Sequence, residues 1–501
     1  MGIQEENKKL EELDNKYIWH PFTQMKDWLE EKPIIISEGR GCFIKDIYGR
    51  WYLDGISSMW VTIFGHRKKE IDDAIKEQLD KVAHSTLLGL SNVPAIKLAE
   101  KLIQLVQKSF GQSQGSNPAL STNNPPIPPL EKGGKGGFEK EGKAEINNSS
   151  LLAHHSLLCK VFYSDNGSTA VEVALKMAFQ YWKHKGVNGR NVFVSLNNAY
   201  HGDTIGAVSV GGVDIFHQAF GPLLFKTYKA PSPYCYRCEL GKEYQDCKFA
   251  CLDMMEELFR AHANEIAAMI IEPFIQAAGG MITSPPGYLK GVRELCTKYD
   301  ILMIADEVAT GFGRTGKMFA CAHEDVLPDI MCLSKGITGG YMPLAVTLAT
   351  DQIFNAFLGE FKDLKTFFHG HSYTGNPLAC TAALACLDLF EREQILESLK
   401  VKIEILEAWL REVLKLKYVG DVRNAGMMAG VELVRDKKSK EPYDWSEKIG
   451  WQVAYHARDI GVFIRPLGNI IVIMPPLSIS EQNLKRFLEI IKDSIVAITE
   501  Q

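Results

Sequence analysis

Short apolar runs alternate with segments of helical periodicity through the middle of this chain. Apolar residues recur at helical spacing, for example, over Ala170–Lys183 and Cys251–Ala263. Five apolar runs between such segments have the length and composition of buried strands: Lys160–Ser164, Val192–Leu196, Ala267–Ile271, Ile301–Ala305 and Ile330–Leu333. This alternation predicts an α/β fold with a mostly parallel central sheet and helices on both of its faces.

Each predicted strand runs directly into polar or charged residues. These strand ends are Asp165-Asn166-Gly167-Ser168, Asn197-Asn198, Glu272, Asp306 and Ser334-Lys335. Open α/β sheets bind their ligands beyond the carboxyl ends of the strands. The five polar ends therefore predict one shared site at that edge of the sheet.

Segments near the two ends of the chain predict a smaller α+β domain. Strand patterns near the start are Ile34–Ile36, Gly41–Asp46 and Trp51–Asp54. Towards the other end we expect, in order, a helix, a strand, a hairpin and a closing helix: Glu397–Leu416, Met428–Val434, Gly461–Arg465 with Ile470–Met474, and Glu481–Val496. The predicted boundaries are 1–75 and 351–501 for the smaller domain and 76–350 for the large one.

The segment Gly111–Ser150 differs in composition from its surroundings. It is rich in Gly, Pro, Ser, Asn and Lys and has few apolar residues. Because such a segment cannot offset the entropy of ordering it, we predict a disordered insertion on the surface of the large domain.

The composition is that of a globular enzyme with more than one domain. The chain has 501 residues, of which 46% are hydrophobic and 23% charged. A net charge of -5 gives no basic face for a nucleic acid or an anionic membrane. No apolar run has the length of a membrane span, and the first ten residues lack the apolar core of a secretory signal. We therefore expect a cytoplasmic protein without nucleic-acid or membrane partners.

Two of the strand ends suit a bound cofactor. Backbone N–H groups at a helix start, beside the small residues Gly167 and Ser168, suit a phosphate, although an ordinary cap by Ser168 or Asp165 explains the same residues. Lys335 ends an apolar strand, where desolvation and nearby cations lower an amine pKa and make it nucleophilic. A surface lysine in a turn is the alternative.

Three other residues have more than one interpretation. Asp306 can accept a hydrogen bond from a pyridine nitrogen, but a solvated acid or a Mg²⁺ ligand fits the strand equally. Tyr200, followed by His201 and Gly202, can stack on a planar cofactor, or belong to an ordinary loop. Arg465 lies between apolar strands and suits either a bidentate grip on a carboxylate or a structural ion pair.

The segment Gly311–Gly316 matches the G-x-G-x-x-G pattern of dinucleotide-binding proteins and is followed by Asp329. That fingerprint requires its glycines at the strand-to-helix turn, opening a helix of real length. Here four residues separate Asp306 from the first glycine, and Pro328 ends the next segment early. A dinucleotide-binding oxidoreductase is therefore the rejected alternative.

The 11 cysteines are expected to be reduced, because an odd number in a long chain without a signal argues against a disulfide framework. Cys235 and Cys238 are followed by Cys247 and Cys251 at approximately the spacing of a zinc site. The second pair has one residue too many, and Cys251 begins a predicted helix. We expect structural thiols and no metal, with zinc as the alternative.

Taken in order, four motifs resemble class III aminotransferases of fold type I, over nearly the whole chain outside Gly111–Ser150. The motifs are Asp165-x-Gly167-Ser168, Tyr200-His201-Gly202, Asp306-Glu307-Val308-x-x-Gly311-Phe312-Gly313-Arg314-x-Gly316 and Ser334-Lys335-Gly336. The set is far more specific than any single member. The resemblance implies a pyridoxal-phosphate-dependent transaminase.

The resemblance also implies roles for individual residues. Lys335 would attach the cofactor covalently and later shuttle a proton, and Asp306 would hold the proton of the ring nitrogen. Tyr200 would stack on the ring, with His201 beside the cofactor. Gly167 and Ser168 would bind the phosphate, helped by Ser372 from the partner subunit, which implies a homodimer with shared active sites.

Four further segments resemble the members of this family that serve biotin biosynthesis. They are Trp19–Met25, Asp54–Trp60, His369–Pro377 and Ile464–Gly468. This likeness implies 8-amino-7-oxononanoate as amino acceptor and either S-adenosylmethionine or lysine as donor. Trp60, Phe22 and Gly370 would line the substrate pocket, and Arg465 would hold the carboxylate.

Two positions depart from the pattern of many such enzymes. Phe22 stands where tyrosine is common, and Met59 stands where a second tryptophan is common. Both positions bear on the amino donor, so its identity stays open. The alternatives within the fold are an aminotransferase for another ω-amino acid and an aminomutase.

Overall fold

The computed structural model describes residues 3–31, 33–110 and 157–500. The predicted insertion, Gly111–Ser150, lies outside the described residues. The helices are α1 Ile3–Tyr17, α2 Met25–Glu30, α3 Ser57–Trp60, α4 Lys69–Leu79, α5 Val93–Phe110, α6 Gly167–His184, α7 Ile205–Val210, α8 Asp214–His217, α9 Ala250–His262, α10 Tyr288–Lys298, α11 Asp351–Ala356, α12 Pro377–Arg392, α13 Ile395–Val413, α14 Ile449–Asp459 and α15 Glu481–Thr499.

The strands are short and most of them are buried. They are β1 Ile36–Arg40, β2 Phe43–Asp46, β3 Trp51–Asp54, β4 Leu158–Ser164, β5 Val192–Leu196, β6 Thr227–Ala230, β7 Ile266–Ile271, β8 Ile275–Gln276, β9 Ile282–Thr283, β10 Leu302–Asp306, β11 Ile330–Leu333, β12 Ala345–Thr350, β13 Val419–Ala425, β14 Met428–Asp436, β15 Glu441–Pro442, β16 Val462–Phe463 and β17 Ile470–Ile473.

A seven-stranded sheet forms the centre of the molecule, with the strand order β4-β12-β11-β10-β7-β5-β6. Strands β11, β10, β7, β5 and β6 pair in parallel, whereas β12 is antiparallel to both of its neighbours. All five predicted strands belong to this sheet, so the predicted mostly parallel α/β fold is confirmed. Strands β6 and β12 were not predicted.

Both faces of the central sheet are buried under apolar layers. Along β10, Met303 belongs to one hydrophobic cluster and its neighbour Ile304 to the other. Helix α6 covers one face, with Ala170 and Val171 packed in the same cluster as Ile304. A sheet covered on both faces requires nearly continuous apolar strands, which is the pattern that the sequence has.

Of two smaller sheets, one combines strands from near both ends of the chain, and the other consists of strands from the last part of the chain. One has the order β1-β2-β3-β16, and in the other β14 pairs with β13, β15 and β17. The predicted hairpin is wrong: β16 pairs in parallel with β3, whereas β17 pairs with β14 in a different sheet. Local pattern alone cannot reveal a partner strand about four hundred residues away. The domain boundaries stay a prediction.

Helix α6 begins at Gly167, three residues before its predicted start. Its cap is neither Ser168 nor Asp165, as the capping alternative expected, but Asn166, whose side chain accepts from the N–H of Thr169. Oγ1 of Thr169 in turn accepts from the backbone N–H of Asn166, which completes a capping box. The backbone at Gly167 and Ser168 is thereby fixed as the first turn of the helix.

A search of the helices in the described parts of the chain finds none long and apolar enough to span a membrane.

Candidate active site

A cavity of about 510 Å³ opens at the carboxyl edge of the central sheet. Four of the five polar strand ends reach it, those that follow β4, β7, β10 and β11. The fifth, Asn197-Asn198, does not line the cavity, but Tyr200 in the same loop does. Residues lining this space include Trp60, Gly167, Ser168, Tyr200, His201, Glu272, Asp306 and Lys335.

Lys335 follows β11 and presents its amine to this cavity. Burial lowers the pKa of Lys335, while the charges of Asp306 and Glu272 partly oppose that effect. The amine lies 5.2 Å from the ring centroid of Trp60 and, among the described residues, has no hydrogen-bond partner. An amine with a lowered pKa and, among the described residues, no hydrogen-bond partner is suited to covalent bonding with a carbonyl group.

Asp306 ends β10 and is 4% exposed. Its Oδ2 lies 2.7 Å from Nδ1 of His201, and its Oδ1 accepts a hydrogen bond from the N–H of Val308 at 3.1 Å. These contacts fix the orientation of the carboxyl group at the floor of the cavity. His201 is 3% exposed, and its Nε2 has no hydrogen-bond partner in the described structure.

Tyr200 lies on the wall of the cavity and is held at both ends. Its phenol donates to Oδ2 of Asp203 at 2.6 Å, and its backbone N–H donates to Oε2 of Glu272 at 3.1 Å. Burial raises the pKa of Tyr200, and the hydrogen bond to Asp203 adds to this effect, so the phenol stays neutral.

The first turn of α6 meets the loop that carries Tyr200. Oγ of Ser168 accepts from the N–H of Asp203 at 3.0 Å. Gly202 has a φ of +122°, and a Cβ placed there would lie 2.0 Å from Oγ of Ser168. Only glycine therefore allows the loop to approach the helix start this closely. Gly167 also faces the cavity, so two small residues and the positive end of a helix border it, which fits a phosphate group.

Trp60 reaches the cavity from the amino-terminal part of the chain. Residues Ser57–Trp60 have positive φ angles between 46° and 72°. Ser57 donates to the carbonyl of Met474 at 2.6 Å, and Oγ of Ser58 donates to Asp54 at 2.7 Å. These contacts hold a left-handed turn that points the indole towards Lys335.

Four predicted site residues lie outside the lining of this cavity. Nη2 of Arg465 donates to the carbonyl of Phe22 at 2.6 Å, so these two residues lie together. The ring of Phe22 contacts Phe216, which in turn contacts Tyr200. Gly370 and Ser372 are exposed on the segment that precedes α12. Within one chain, these four residues do not meet Lys335.

The loop that carries the four cysteines lies away from this site. Cys235, Cys238, Cys247 and Cys251 line one small cavity, and burial raises the pKa of Cys251 to about 11. In the described residues, no group of three or more His, Cys, Asp or Glu side chains is arranged to hold a metal ion. Cys251 is the second residue of α9, which is consistent with its predicted place at a helix start.

The glycines of Gly311–Gly316 do not open a long helix. Only the short 3-10 turn Ala320–His323 follows them before β11. Asp329 accepts from Arg293 and from the N–H of Met303, both at 2.7 Å, so its carboxylate is used within the fold. The dinucleotide alternative therefore lacks its phosphate-binding helix.

Sequence comparison bears on the family directly. The model of aminotransferase class-III matches residues 25–116 and 141–495. The chain belongs to the class-III aminotransferase family. It is 50% identical to the adenosylmethionine-8-amino-7-oxononanoate aminotransferase of Geobacter sulfurreducens, over 99% of both chains. The enzyme of the same name from Aquifex aeolicus is 50% identical over 97% of both.

Solved structures give this class-III aminotransferase the same fold. The adenosylmethionine-8-amino-7-oxononanoate aminotransferase of Methanocaldococcus jannaschii matches with a TM-score of 0.85 and 44% identity, over 98% of this chain and 99% of the other. A PLP-bound amine transaminase from an uncultivated Pseudomonas species matches with a TM-score of 0.83 and 34% identity, over 96% and 99%.

Three polar residues at or near the site were not predicted to have a role. Asp203 holds the phenol of Tyr200, and Glu272 holds its backbone. Arg314 is 1% exposed and donates to the carbonyls of Pro475 and Thr62 at 2.8 and 2.9 Å. Glu272 stood out in the sequence as a polar strand end, whereas Arg314 was noticed only as part of a glycine-rich motif.

Proposed function

We propose that this protein transfers an amino group to 8-amino-7-oxononanoate and uses pyridoxal phosphate to do so. The observation that carries the proposal is the position of Lys335, whose amine has no hydrogen-bond partner among the described residues and shares one cavity with the buried carboxyl of Asp306. The names of the relatives at about half identity supply the acceptor and favour S-adenosylmethionine as donor. A different ω-amino acid substrate or an aminomutase reaction is less well supported, since neither agrees with those names.

The lining of the cavity fits the cofactor chemically. When bound, pyridoxal phosphate supplies an aldehyde that accepts an amine and a ring that withdraws electrons from the substrate carbon. Lys335 would bond the aldehyde, Asp306 would hold the proton of the ring nitrogen, and the first turn of α6 at Gly167 and Ser168 would bind the phosphate. Tyr200 and His201 would border the ring.

The residues of the chain provide for the transfer of a proton. Because burial lowers the pKa of Lys335, a larger fraction of its amine is neutral near pH 7 than that of an exposed lysine. A neutral amine at Nζ accepts a proton from the substrate carbon and returns it at another atom. The indole of Trp60, which is itself 8% exposed, places an apolar surface beside Nζ.

The acceptor would bind at the outer end of the cavity. Arg465 would hold its carboxylate, and Trp60 and Phe22 would contact its apolar chain. Gly370 and Ser372 are exposed and do not line the cavity of their own chain, which supports their use by a second subunit. We therefore also propose a homodimer with shared sites, located in the cytoplasm and without a nucleic-acid partner.

Absorbance spectra test the cofactor and the donor together. The purified protein, loaded with pyridoxal phosphate, is mixed with S-adenosylmethionine or with lysine in separate samples without keto acid. We expect the visible band of the bound cofactor to disappear with S-adenosylmethionine and to return when 8-amino-7-oxononanoate is added. A protein whose band persists with both donors would contradict the biotin-pathway assignment, and one that never develops the band would contradict the cofactor.

The substitution Lys335→Arg tests the amine itself, because arginine keeps the charge but cannot form the same bond to an aldehyde. We expect no measurable turnover. Lys402→Arg is the matched control, since burial lowers the pKa of Lys402 as it does that of Lys335, and Nζ of Lys402 donates to the carbonyl of Leu477 at 2.7 Å, away from the cavity. Turnover by Lys335→Arg at the level of Lys402→Arg would refute the role of Lys335.

A further inference from the structure

Glu272 connects two loops at the wall of the cavity. It follows β7 directly, is 6% exposed and lines the cavity beside Asp306. Its Oε2 accepts from the N–H of Tyr200 at 3.1 Å, and its Oε1 accepts from the N–H of Ala277 at 3.0 Å. One carboxyl group therefore ties the loop after β5 to the loop after β7.

A second side chain strengthens the same connection. Nε2 of Gln276 donates to the carbonyl of Asn197 at 2.8 Å, and its Oε1 accepts from Ser232 at 2.5 Å. The loop that carries Tyr200 is thus joined at two points to the segment after β7, once through Glu272 and once through Gln276 in β8. Of the two, only Glu272 contacts Tyr200 itself, and only Glu272 reaches the cavity.

The environment of Glu272 favours its neutral, protonated form over a second carboxylate beside Asp306. Burial raises its pKa to about 8, and the charge of Asp306 adds to this effect, while the two backbone N–H groups and Lys335 act in the opposite direction. A side chain that is mainly protonated at pH 7 does not add a full negative charge beside Asp306. It still has oxygen lone pairs for the two N–H groups.

We propose that Glu272 is a positioning residue that fixes Tyr200 at the cofactor site through the backbone of Tyr200. Because Asp203 already holds the phenol, the hydrogen bond from the backbone N–H of Tyr200 to Glu272 restricts the movement that remains to the Tyr200 side chain. The inference rests on the proposed function, because it requires Tyr200 to border bound pyridoxal phosphate.

The affinity of the apoprotein for pyridoxal phosphate measures this role without any turnover. Fluorescence and visible absorbance are followed as the cofactor is added to each variant. Glu272→Leu removes both acceptors, and we expect its dissociation constant to rise about tenfold. Glu272→Gln keeps one acceptor, and we expect a rise of about threefold with a partly restored absorbance maximum.

The matched control is Glu324→Gln. Glu324 also accepts two backbone N–H groups, from Gly287 at 2.7 Å and Lys290 at 2.8 Å, but it does not line the cavity. We expect its affinity and spectrum to equal those of the unmodified protein. If Glu272→Leu does not fold, Glu272→Gln decides alone. A Glu272→Gln variant with unchanged affinity and an unchanged spectrum would overturn the proposal.

A double-substitution cycle separates positioning from a general loss of structure. With Tyr200→Ala as background, Glu272 has no ring to position, so Glu272→Gln should change the affinity by less than about 1.5-fold, against about threefold otherwise. The same threefold loss in both backgrounds would overturn the role through Tyr200. The unmodified protein tests the proposed function separately: if it binds no pyridoxal phosphate, the proposed function fails, and this inference fails with it.

Discussion

Replacing Gly202 with alanine should destabilise the protein more than almost any other exchange of glycine for alanine near the site. Two features of the structure act together at this position. The φ of +122° lies where residues with a Cβ are strained, and the added Cβ would lie 2.0 Å from Oγ and 2.6 Å from Cβ of Ser168. The loop and the start of α6 must therefore move apart.

The magnitude follows from these two features. An alanine held at such a φ costs about 1–3 kcal/mol, and forcing extra volume into a packed contact costs a further ~1–3 kcal/mol. We expect the free energy of unfolding to fall by about 2–6 kcal/mol, against a total of roughly 5–15 kcal/mol for a typical domain. The hydrogen bond from Asp203 to Ser168 is lost as well, so the affinity for pyridoxal phosphate should also fall.

Urea unfolding of the apoprotein, followed by tryptophan fluorescence, measures the change. Gly221→Ala is the matched control, because no atom lies within 4 Å of a Cβ at that position, and it should change the stability by less than about 0.5 kcal/mol. Adding Ser168→Ala to Gly202→Ala removes the nearest clashing atom and should restore part of the stability. Equal unfolding midpoints for Gly202→Ala and Gly221→Ala would refute the reasoning.

Two further predictions concern the cationic side chains of Arg314, which is buried, and Lys229, which is exposed but whose Nζ donates to Ser195 and to the carbonyl of Gly211. Arg314→Met removes the donor to the carbonyls of Pro475 and Thr62, and it should lower the free energy of unfolding in urea by about 2–5 kcal/mol. The control Arg435→Met removes an exposed ion pair with Glu447 and should lower it by less than about 1 kcal/mol. Equal losses in the two variants would contradict this prediction. Burial lowers the pKa of Lys229 from 10.5 to about 8, so the folded state binds this proton less tightly than the unfolded state. The contribution of the neutral Lys229 amine to the stability of the fold is therefore complete above pH 10.5 and is lost as the pH falls through 8. Between pH 8 and 10, the melting temperature should rise more in the unmodified protein than in Lys229→Met. Identical pH dependences of the two proteins would contradict this assignment.

The sequence allowed the central sheet to be predicted because its strands are buried on both faces. A run such as Ile330–Leu333 is apolar at every position, and its length and boundaries agree with β11. The chain direction then fixes which ends carry the polar residues, so Asp306 and Lys335 could be expected at one edge of the sheet. Local sequence contains enough information for this step.

The pairing of strands that lie far apart in the sequence could not be predicted from local sequence. Strand β16 has two residues, and its partner β3 lies about four hundred residues earlier, so an adjacent apolar run looked like a better partner. Antiparallel β12 was missed for a similar reason, since a parallel arrangement was the general expectation for this sheet. Glu272 links two separate loops, and Asp203 links the loop of Tyr200 to the start of α6; the sequence indicates neither contact.

Lys335 and Trp60, which lie close together in the cavity, both have backbone φ angles that their residue types disfavour. Lys335 has a φ of +44°, and Trp60 ends four successive residues with positive φ. Serine, methionine, tryptophan and lysine have no preference for this region, and each such residue costs of the order of 1–3 kcal/mol. The contacts of Ser57 and Ser58 hold one turn, and the burial of Gly336, Ile337 and Thr338, which follow Lys335, holds the other. Because only tertiary contacts can sustain such strain, a site that brings a lysine amine to 5.2 Å from an indole ring is a property of the whole fold.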